Sequence, residues 1–211
     1  MYTYGRSLLA LAVLVLGAAA ALPADDEKII AREDAIEVML LRQKSVQEEL
    51  KTTPEQNQKI HAFADKQWKK VKAMKGSSES ERDREFEKMA KANQEFLQNT
   101  LRPEQVKRLN EIAMQVAGLL WVMRSDVASA LNLTDDQKQK IRELHREAHK
   151  EAQEALRSEN QAVEEEKFRE MRQTNRRRLM SILTDDQKAK WRQMAGQPFR
   201  GELHFGPRSD K

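Results

Sequence analysis

The chain has 211 residues and no cysteine; 34% of its residues are charged and only 5% are aromatic. The absence of cysteine excludes disulfides, cysteine-based zinc sites, iron–sulfur clusters and cysteine nucleophiles. Its 38 basic and 34 acidic residues are dispersed along the chain, so the net charge of +4 is a weak argument for nucleic-acid binding. Five prolines and seven glycines leave few helix breakers, and abundant Glu, Lys, Gln, Arg and Ala favour an all-α fold over a β-sandwich, barrel or Rossmann-type sheet.

Residues 1–24 are typical of a secretory signal peptide. A single charge at Arg6 precedes an apolar run that begins at residue 7, and small residues at 18–21 precede a polar segment. The 16 residues from 7 to 22 fall short of the ~20 that a membrane-spanning helix needs, so an uncleaved anchor is the less favoured alternative. We expect cleavage after Ala21 or Ala24, and a mature chain outside the cytoplasm that has no stable membrane span.

Four short segments with a common pattern recur along the rest of the chain. Their glutamines are Gln56, Gln105, Gln137 and Gln187, so the first and third are 81 residues apart and the second and fourth 82. The same offsets relate residues 45–50 to 126–131 and residues 86–101 to 168–183. A shared offset at this many positions indicates a tandem duplication, roughly 39–118 and 120–196.

This duplication gives the predicted domain organisation. A first helical repeat at 25–118 follows the signal peptide at 1–24, and a second helical repeat occupies 119–196. The last segment, 197–211, is expected to be an irregular tail. The most apolar stretch, Ile112–Val127, lies between the repeats and is expected to form the central core, with Ile36, Val38, Leu40 and Leu41 as its counterpart in the first repeat.

The four recurring segments are expected to be helix N-termini. A Thr followed three residues later by Gln forms a capping box, in which each side chain bonds to the backbone N–H of the other residue. Loss of such a Thr costs about 1 kcal/mol. Arg102 replaces the Thr of the second segment, so that helix start is expected to be the weakest. The predicted capping residues are Thr53, Gln56, Gln105, Thr134, Gln137, Thr184 and Gln187.

Between these starts, apolar residues recur with helical spacing. In the first repeat the stretches 60–74 and 86–100 flank residues 75–78, which predicts an αα-hairpin. In the second repeat the apolar residues of 141–155 and 168–182 form two stripes that fall out of phase near 157–160, where we place a turn. One uninterrupted helix of ~48 residues is the alternative. The stripes are narrow, so each hairpin needs a neighbour, either the other repeat or a second chain in a homodimer.

The sequence offers little metal or catalytic chemistry. His145 and His149 lie four residues apart on one helix face, and we expect both to face solvent among charged residues, with a metal site as the alternative. They do not form the zincin motif, because Glu147 points nearly opposite. No nucleophile elbow, phosphate-binding glycine loop or Ser-His-Asp arrangement is present. We expect a protein that is not an enzyme and needs no cofactor.

The segments Leu133–Gln137 and Leu183–Gln187 read Leu-Thr-x-x-Gln and have degenerate counterparts at Thr53–Gln56 and Leu101–Gln105. On an exported, charge-rich, helical chain they resemble the Spy/CpxP family of bacterial periplasmic proteins, over most of residues 39–196. The resemblance implies tandem helical hairpins, a periplasmic location, and an ATP-independent chaperone or envelope-stress protein, usually dimeric, that holds unfolded clients. The chain departs from the family in its two motif pairs, its motif spacings near 50 and its C-terminal tail.

The first hypothesis is therefore a chaperone-like binding protein for unfolded or aggregation-prone polypeptides. Its clients would contact apolar side chains on the helix surfaces, although an ordinary place in the core is the favoured interpretation for each of these residues. The candidates are Met74, Met89, Met171, Phe86 and Phe168. The alternatives are a metal-responsive module that uses His145 and His149, and a structural protein that docks one fixed partner through Ile112–Val127.

Overall fold

The computed structural model describes residues 36–74, 76–155 and 161–203, although not the side chains at 79, 152–155 and 161–169. The described secondary structure is helical and contains no strand, which confirms the all-α prediction. The predicted signal peptide at 1–24 and the predicted turn at 157–160 lie outside the described residues.

Residues 36–41 are helical and lead into the numbered helices. In chain order these are α1 (Lys44–Glu49), α2 (Pro54–Ala73), α3 (Glu79–Thr100), α4 (Pro103–Trp121), α5 (Ser125–Ala130), α6 (Asp135–Ala155), α7 (Gln161–Ile182) and α8 (Asp185–Ala195). Helices α2, α4, α6 and α8 begin directly after Thr53, Arg102, Thr134 and Thr184, at the four segments that recur in the sequence. Helix α3 has its own capping box, formed by Ser78 and Glu81.

The chain divides into two compact units. Of the described residues, the first unit contains 36–116 together with 194–203, and the second contains 117–193. Helix α4 loses helical geometry at Ala117 (φ −116°, ψ 26°), where one unit gives way to the other. Residues 194–203 therefore belong to the first unit, whereas the sequence assigned 194–196 to the second repeat and the rest to a separate tail.

In the first unit, α2 and α3 run antiparallel, because Phe63 lies beside Phe96 and Gln67 beside Asn93. A hydrophobic core surrounds this pair, and it includes the four residues near the start of the described chain that were expected to be buried. Its largest fully buried side chains are Leu40, Leu41, Val46, Ile60, Leu109 and Ile112.

In the second unit, α6 and α7 also run antiparallel, because Gln137 bonds to Ile182 and Glu147 pairs with Arg178. The Trp191 ring packs closely against the backbone at Gly118, since a Cβ at this position would lie 3.0 Å from the ring. The buried apolar residues of this unit are Trp121, Val122, Met123, Val127, Ala128, Leu131, Leu133, Ile141, Leu144, Ala148, Leu179, Leu183 and Trp191. Across the ranges that the structure describes, no helix is both long and apolar enough to cross a membrane.

Residues 196–203 have no regular secondary structure, and the tail beyond 203 lies outside the described residues. The described part is nevertheless held by side chains of the first unit. Gln115 donates to the carbonyls of Ala195 (2.6 Å) and Gln197 (2.9 Å) and accepts from the N–H of Phe199 (2.8 Å). Arg108 donates to the Gln197 carbonyl (2.8 Å), and the same guanidinium pairs with Glu49 and Glu111. The tail is therefore irregular in conformation but fixed in position.

Candidate functional site

In the first unit, the glutamines of the two recurring segments bond to each other. The Gln56 amide donates to Gln105 Oε1 (2.9 Å), and the Gln105 amide donates back to Gln56 Oε1 (3.3 Å). Each Oε1 also accepts from a backbone N–H three residues earlier, at Thr53 and Arg102 (both 2.9 Å). We call this arrangement the first glutamine clasp (Gln56–Gln105). It joins the N-termini of α2 and α4.

The same clasp also satisfies backbone carbonyls at two helix C-termini. The Gln56 amide donates to the Thr100 carbonyl (2.7 Å) at the end of α3, and the Gln105 amide donates to the Leu50 carbonyl (3.0 Å) after α1. These carbonyls have no partner within their own helices, because the last turn of a helix leaves its C=O groups unpaired. One pair of side chains therefore ties four helix ends together.

The second unit repeats the arrangement bond for bond in the second glutamine clasp (Gln137–Gln187). The two amides exchange hydrogen bonds of 2.7 and 2.9 Å, and the Gln187 Oε1 accepts from the Thr184 N–H at 2.9 Å. The Gln137 amide donates to the Ile182 carbonyl (3.0 Å) and the Gln187 amide to the Leu131 carbonyl (3.1 Å). This clasp joins the starts of α6 and α8 to the ends of α5 and α7.

The two clasps share an unusual backbone position. Lys51 and Asn132 follow the ends of α1 and α5 and have φ of +50° and +51°. Their carbonyls receive a second, longer bond of 3.4 Å from Gln105 and Gln187. Asn adopts this left-handed conformation readily, whereas Lys does so at a cost.

The capping hydrogen bonds differ at one of the four helix starts. Thr53, Thr134 and Thr184 each accept a hydrogen bond from the N–H of the glutamine three residues later, at 3.1–3.3 Å. At the start of α4, Arg102 has no side-chain acceptor to offer and its Nε instead donates to Glu104 (2.5 Å). The helix start that the sequence predicts to be weakest thus keeps only the bond from Gln105 back to the backbone.

The surface of the α2–α3 hairpin carries a stacked aromatic pair. The rings of Phe63 and Phe96 lie 4.0 Å apart, centroid to centroid, with an interplanar angle of 3°, and both residues are half-buried. Beside them the hairpin interior is polar, since the buried amide of Gln67 donates to Asn93 Oδ1 at 2.9 Å. The two rings therefore sit at the edge of the helix–helix seam, where part of their surface stays in contact with solvent.

Three lysines share the face of α2 that carries Phe63. Lys59, Phe63, Lys66 and Lys70 are spaced four, three and four residues apart, so they lie in one row along the helix. Lys59 pairs with Glu55 (2.7 Å), but no ion pair of Lys66 or Lys70 is found among the described residues. We call Phe63, Phe96 and these three lysines the aromatic face.

Besides Glu55, the carboxylate of Glu85 borders the aromatic face. Glu85 on α3 bonds to Lys88 at 2.6 Å, and this bond, with a smaller contribution from Lys70, holds the pKa of the carboxyl below its usual value. Glu85 is thus engaged mainly by its own helix neighbour. Lys70 interacts only weakly with Glu85. The positive charges of Lys66 and Lys70 therefore remain available to a binding partner.

The client-contact residues that the sequence suggested do not form one open surface. Met74 and Met89 are buried, 8% and 7% exposed, because the apolar stripes place them in the hairpin core, so they are core residues and not client contacts. Phe86 and Met171 are half-buried, and the side chain of Phe168 lies outside the described residues. The residues that sequence reasoning missed are Phe63 and Phe96, which it placed only in the helical stripes.

The expectation that His145 faces solvent is wrong. His145 is 7% exposed and its Nε2 bonds to the carbonyl of Leu119, in the last turn of α4. Burial lowers its pKa from 6.5 to about 4, an effect that the hydrogen bond to Leu119 only partly opposes, so the ring is neutral at pH 7. His149 is half-buried. No group of three His, Asp or Glu side chains placed to hold a metal occurs in the described part of the chain.

No protein-family model matches the chain, and no curated protein or solved structure matches it. The resemblance to the Spy/CpxP family therefore rests on the Leu-Thr-x-x-Gln segments, and function has to be argued from the geometry of the two hairpins.

Proposed function

We propose that this is an exported periplasmic protein, not an enzyme, that binds unfolded or aggregation-prone polypeptides in a chaperone-like manner. The observation that carries the proposal is the half-buried stack of Phe63 and Phe96 beside Lys66 and Lys70, which lack an ion pair among the described residues. Aromatic rings contribute large, rigid contact surfaces at low cost in conformational entropy. Such a surface suits partners of varied sequence.

The size of the aromatic face fits transient capture. Burying the exposed parts of two rings contributes on the order of 1–2 kcal/mol, because apolar burial is worth about 25 cal/mol per Å². Association itself costs several kcal/mol. A client therefore needs several contacts at once and leaves easily, which is the behaviour expected of a protein that holds clients without ATP.

The proposed location rests on the sequence of residues 1–24, whose charge, apolar run and small residues are typical of a cleaved signal peptide. A cysteine-free chain is held by packing alone, whatever the redox state of its compartment. N-terminal sequencing of the protein recovered from the periplasm would test this, and a start at residue 22 or 25 is expected.

The alternatives receive less support from the geometry. A fixed partner that docks through Ile112–Val127 would need that segment exposed. Residues 115–120 are half-buried, but Ile112, Trp121, Val122 and Val127 are at most 3% exposed. A metal-responsive site at His145 and His149 would need an accessible His145, but this ring is 7% exposed and its Nε2 bonds to the Leu119 carbonyl.

The test is suppression of aggregation of a small disulfide protein that unfolds on reduction, followed by light scattering. We expect the mature chain to suppress aggregation, and Phe63→Ala/Phe96→Ala to require at least five times the concentration for the same effect. Trp68→Ala is the matched control, since Trp68 is another half-buried aromatic of α2. Five residues separate it from Phe63, so the two point in directions about 140° apart.

Circular dichroism has to show that all three proteins are equally helical. Trp68→Ala is expected to act within twofold of the wild type. Absence of suppression by the wild type at several-fold molar excess, or an equal loss in both variants, would contradict the proposal.

A further inference from the structure

The duplication allows the two hairpins to be compared position by position. The offset of 81 relates Phe63, Lys66 and Lys70 of α2 to Leu144, Glu147 and Glu151 of α6. The offset of 82 relates Phe96 of α3 to Arg178 of α7. Every one of these four positions has changed in chemical character or charge, while the glutamine clasps at the ends of the same hairpins are the same.

On the second hairpin the equivalent face carries ion pairs between its own side chains. Arg178 reaches across from α7 to Glu147 (3.3 Å) and Glu151 (3.4 Å) on α6. Leu144, in the place of Phe63, is only 5% exposed. The guanidinium pairs with both carboxylates, which leaves one net negative charge where the first hairpin carries two lysines, and no aromatic ring is present among these residues.

On the first hairpin the equivalent face is open. Phe63 and Phe96 are half-buried, Lys66 is exposed and Lys70 is half-buried. Neither lysine has an ion-pair partner among the described residues. A partner that combines apolar side chains with carboxylates would cover the rings and pair with the lysines at the same time.

We infer that the duplicated hairpins have diverged in function: the first hairpin alone binds polypeptides, and it selects segments in which aromatic or aliphatic side chains alternate with Asp or Glu. This inference rests on the proposed function and names its site and its partner class. Lys66 and Lys70 are specificity-determining residues, because exposed ion pairs add little affinity alone but favour association with acidic segments and disfavour basic ones.

The first experiment uses two fluorescent 12-residue peptides that share Phe, Leu and Ser and differ only in carrying Glu or Lys at the same four positions. Fluorescence anisotropy with the mature chain is expected to show at least tenfold tighter binding of the Glu peptide, and weaker binding of it at high salt. Lys66→Glu/Lys70→Glu is expected to reverse the preference. The control Glu147→Gln/Glu151→Gln removes the ion pairs of the second hairpin and is expected to stay within twofold of the wild type.

The second experiment counts sites. Isothermal titration of the wild type with the Glu peptide is expected to give one site per chain. The variant Leu144→Phe/Glu147→Lys/Glu151→Lys/Arg178→Phe gives the second hairpin the residues of the first at all four positions, and it is expected to bind two peptides per chain. Circular dichroism and unfolding midpoints establish that each variant is folded before its binding is interpreted.

Equal affinity for the two peptides, two sites in the wild type, or no added site in the folded fourfold variant would overturn the inference. A failure of the proposed function would give a different set of results from a failure of this inference alone. If that function fails, neither peptide binds and client aggregation is not suppressed. If only the inference fails, suppression still depends on Phe63 and Phe96 while the charge changes have no effect.

Discussion

The two units are alike at the ends of their hairpins and different in the middle. Both clasps exchange amide hydrogen bonds at 2.7–3.3 Å and bond to carbonyls of the preceding helices. Between the clasps, the Phe63–Phe96 stack of the first unit is replaced by Leu144 and the ion pairs of Arg178 in the second. The comparison shows which contacts define the module and which are free to acquire a function.

The hairpin interiors differ in the same way. In the first unit Asn93 accepts a hydrogen bond from Gln67. In the second unit the equivalent residues are Asn175 and Ala148, and Ala148 has no polar side chain to donate one. Asn175 Oδ1 is buried and has no hydrogen-bond partner in the described structure. The position of Ala64 is taken by His145, which bonds to the end of α4. The buried polar side chains of the second hairpin therefore differ from those of the first in both identity and hydrogen bonding.

The largest expected effect concerns the clasps. Gln105 is 2% exposed and Gln137 8%, whereas their partners Gln56 and Gln187 are half-buried. Gln105→Ala and Gln137→Ala should each lower the free energy of unfolding by about 3–4 kcal/mol, because they leave buried carbonyl and amide groups unpaired. Urea unfolding followed by far-UV circular dichroism measures the change.

The partner variants Gln56→Ala and Gln187→Ala should cost less, since water can reach the groups that they leave unpaired. Gln98→Ala, at an exposed position of α3, is the control and should change stability by less than about 0.5 kcal/mol. Equal costs for the buried and half-buried glutamines would show that the clasps are not what ties the helix ends.

The next effect is specific to the second unit and depends on pH. In the unfolded chain His145 has its ordinary pKa of 6.5, but in the folded unit burial lowers the pKa to about 4. Between these values the unfolded state binds a proton that the folded state does not, so stability is full above pH 6.5 and falls as the pH drops towards 4. The loss amounts to about 3 kcal/mol, at 1.36 kcal/mol per pKa unit.

NMR titration of the His145 ring should give a midpoint about two units below that of a free histidine. His145→Gln should flatten the stability profile between pH 6.5 and 4. Exposed carboxyls with lowered pKa, such as Asp185 beside Lys188, lose their interactions only at lower pH. A midpoint near 6.5 for His145 would mean that the ring is not buried.

The smallest predicted effect lies at the left-handed residues after α1 and α5. Lys51→Asn should raise the free energy of unfolding by about 0.5–1 kcal/mol, and Asn132→Lys should lower it by a similar amount, because Asn tolerates a φ of about +50° better than Lys does. Both side chains are exposed, so contacts contribute little. Changes of the same sign in both variants would contradict this explanation.

The helix starts could be read from the sequence because a capping box is local: Thr53 and Gln56 are three residues apart, and each bonds to the other's backbone. The expected burial of Ile36, Leu40 and Leu41 followed from their apolar character. The clasp itself could not be foreseen, because it joins side chains 49 and 50 residues apart.

Three other features depend on groups that carry no sequence signature. His145 is buried because it reaches a backbone carbonyl 26 residues away, and the tail is held through the carbonyls of Ala195 and Gln197. The stack of Phe63 and Phe96 needs α2 and α3 to pack in one particular register. Helical spacing predicts which face carries a residue, but it does not determine how far that residue stays exposed at the edge of the seam.

Hydrogen–deuterium exchange of the mature chain, with and without a saturating Glu peptide, tests most directly whether only one of the two hairpins binds. The peptide is expected to slow exchange in residues 59–70 and 89–96 and to leave residues 140–151 and 171–182 unchanged. Equal protection of both hairpins, or protection of the second hairpin alone, would contradict it.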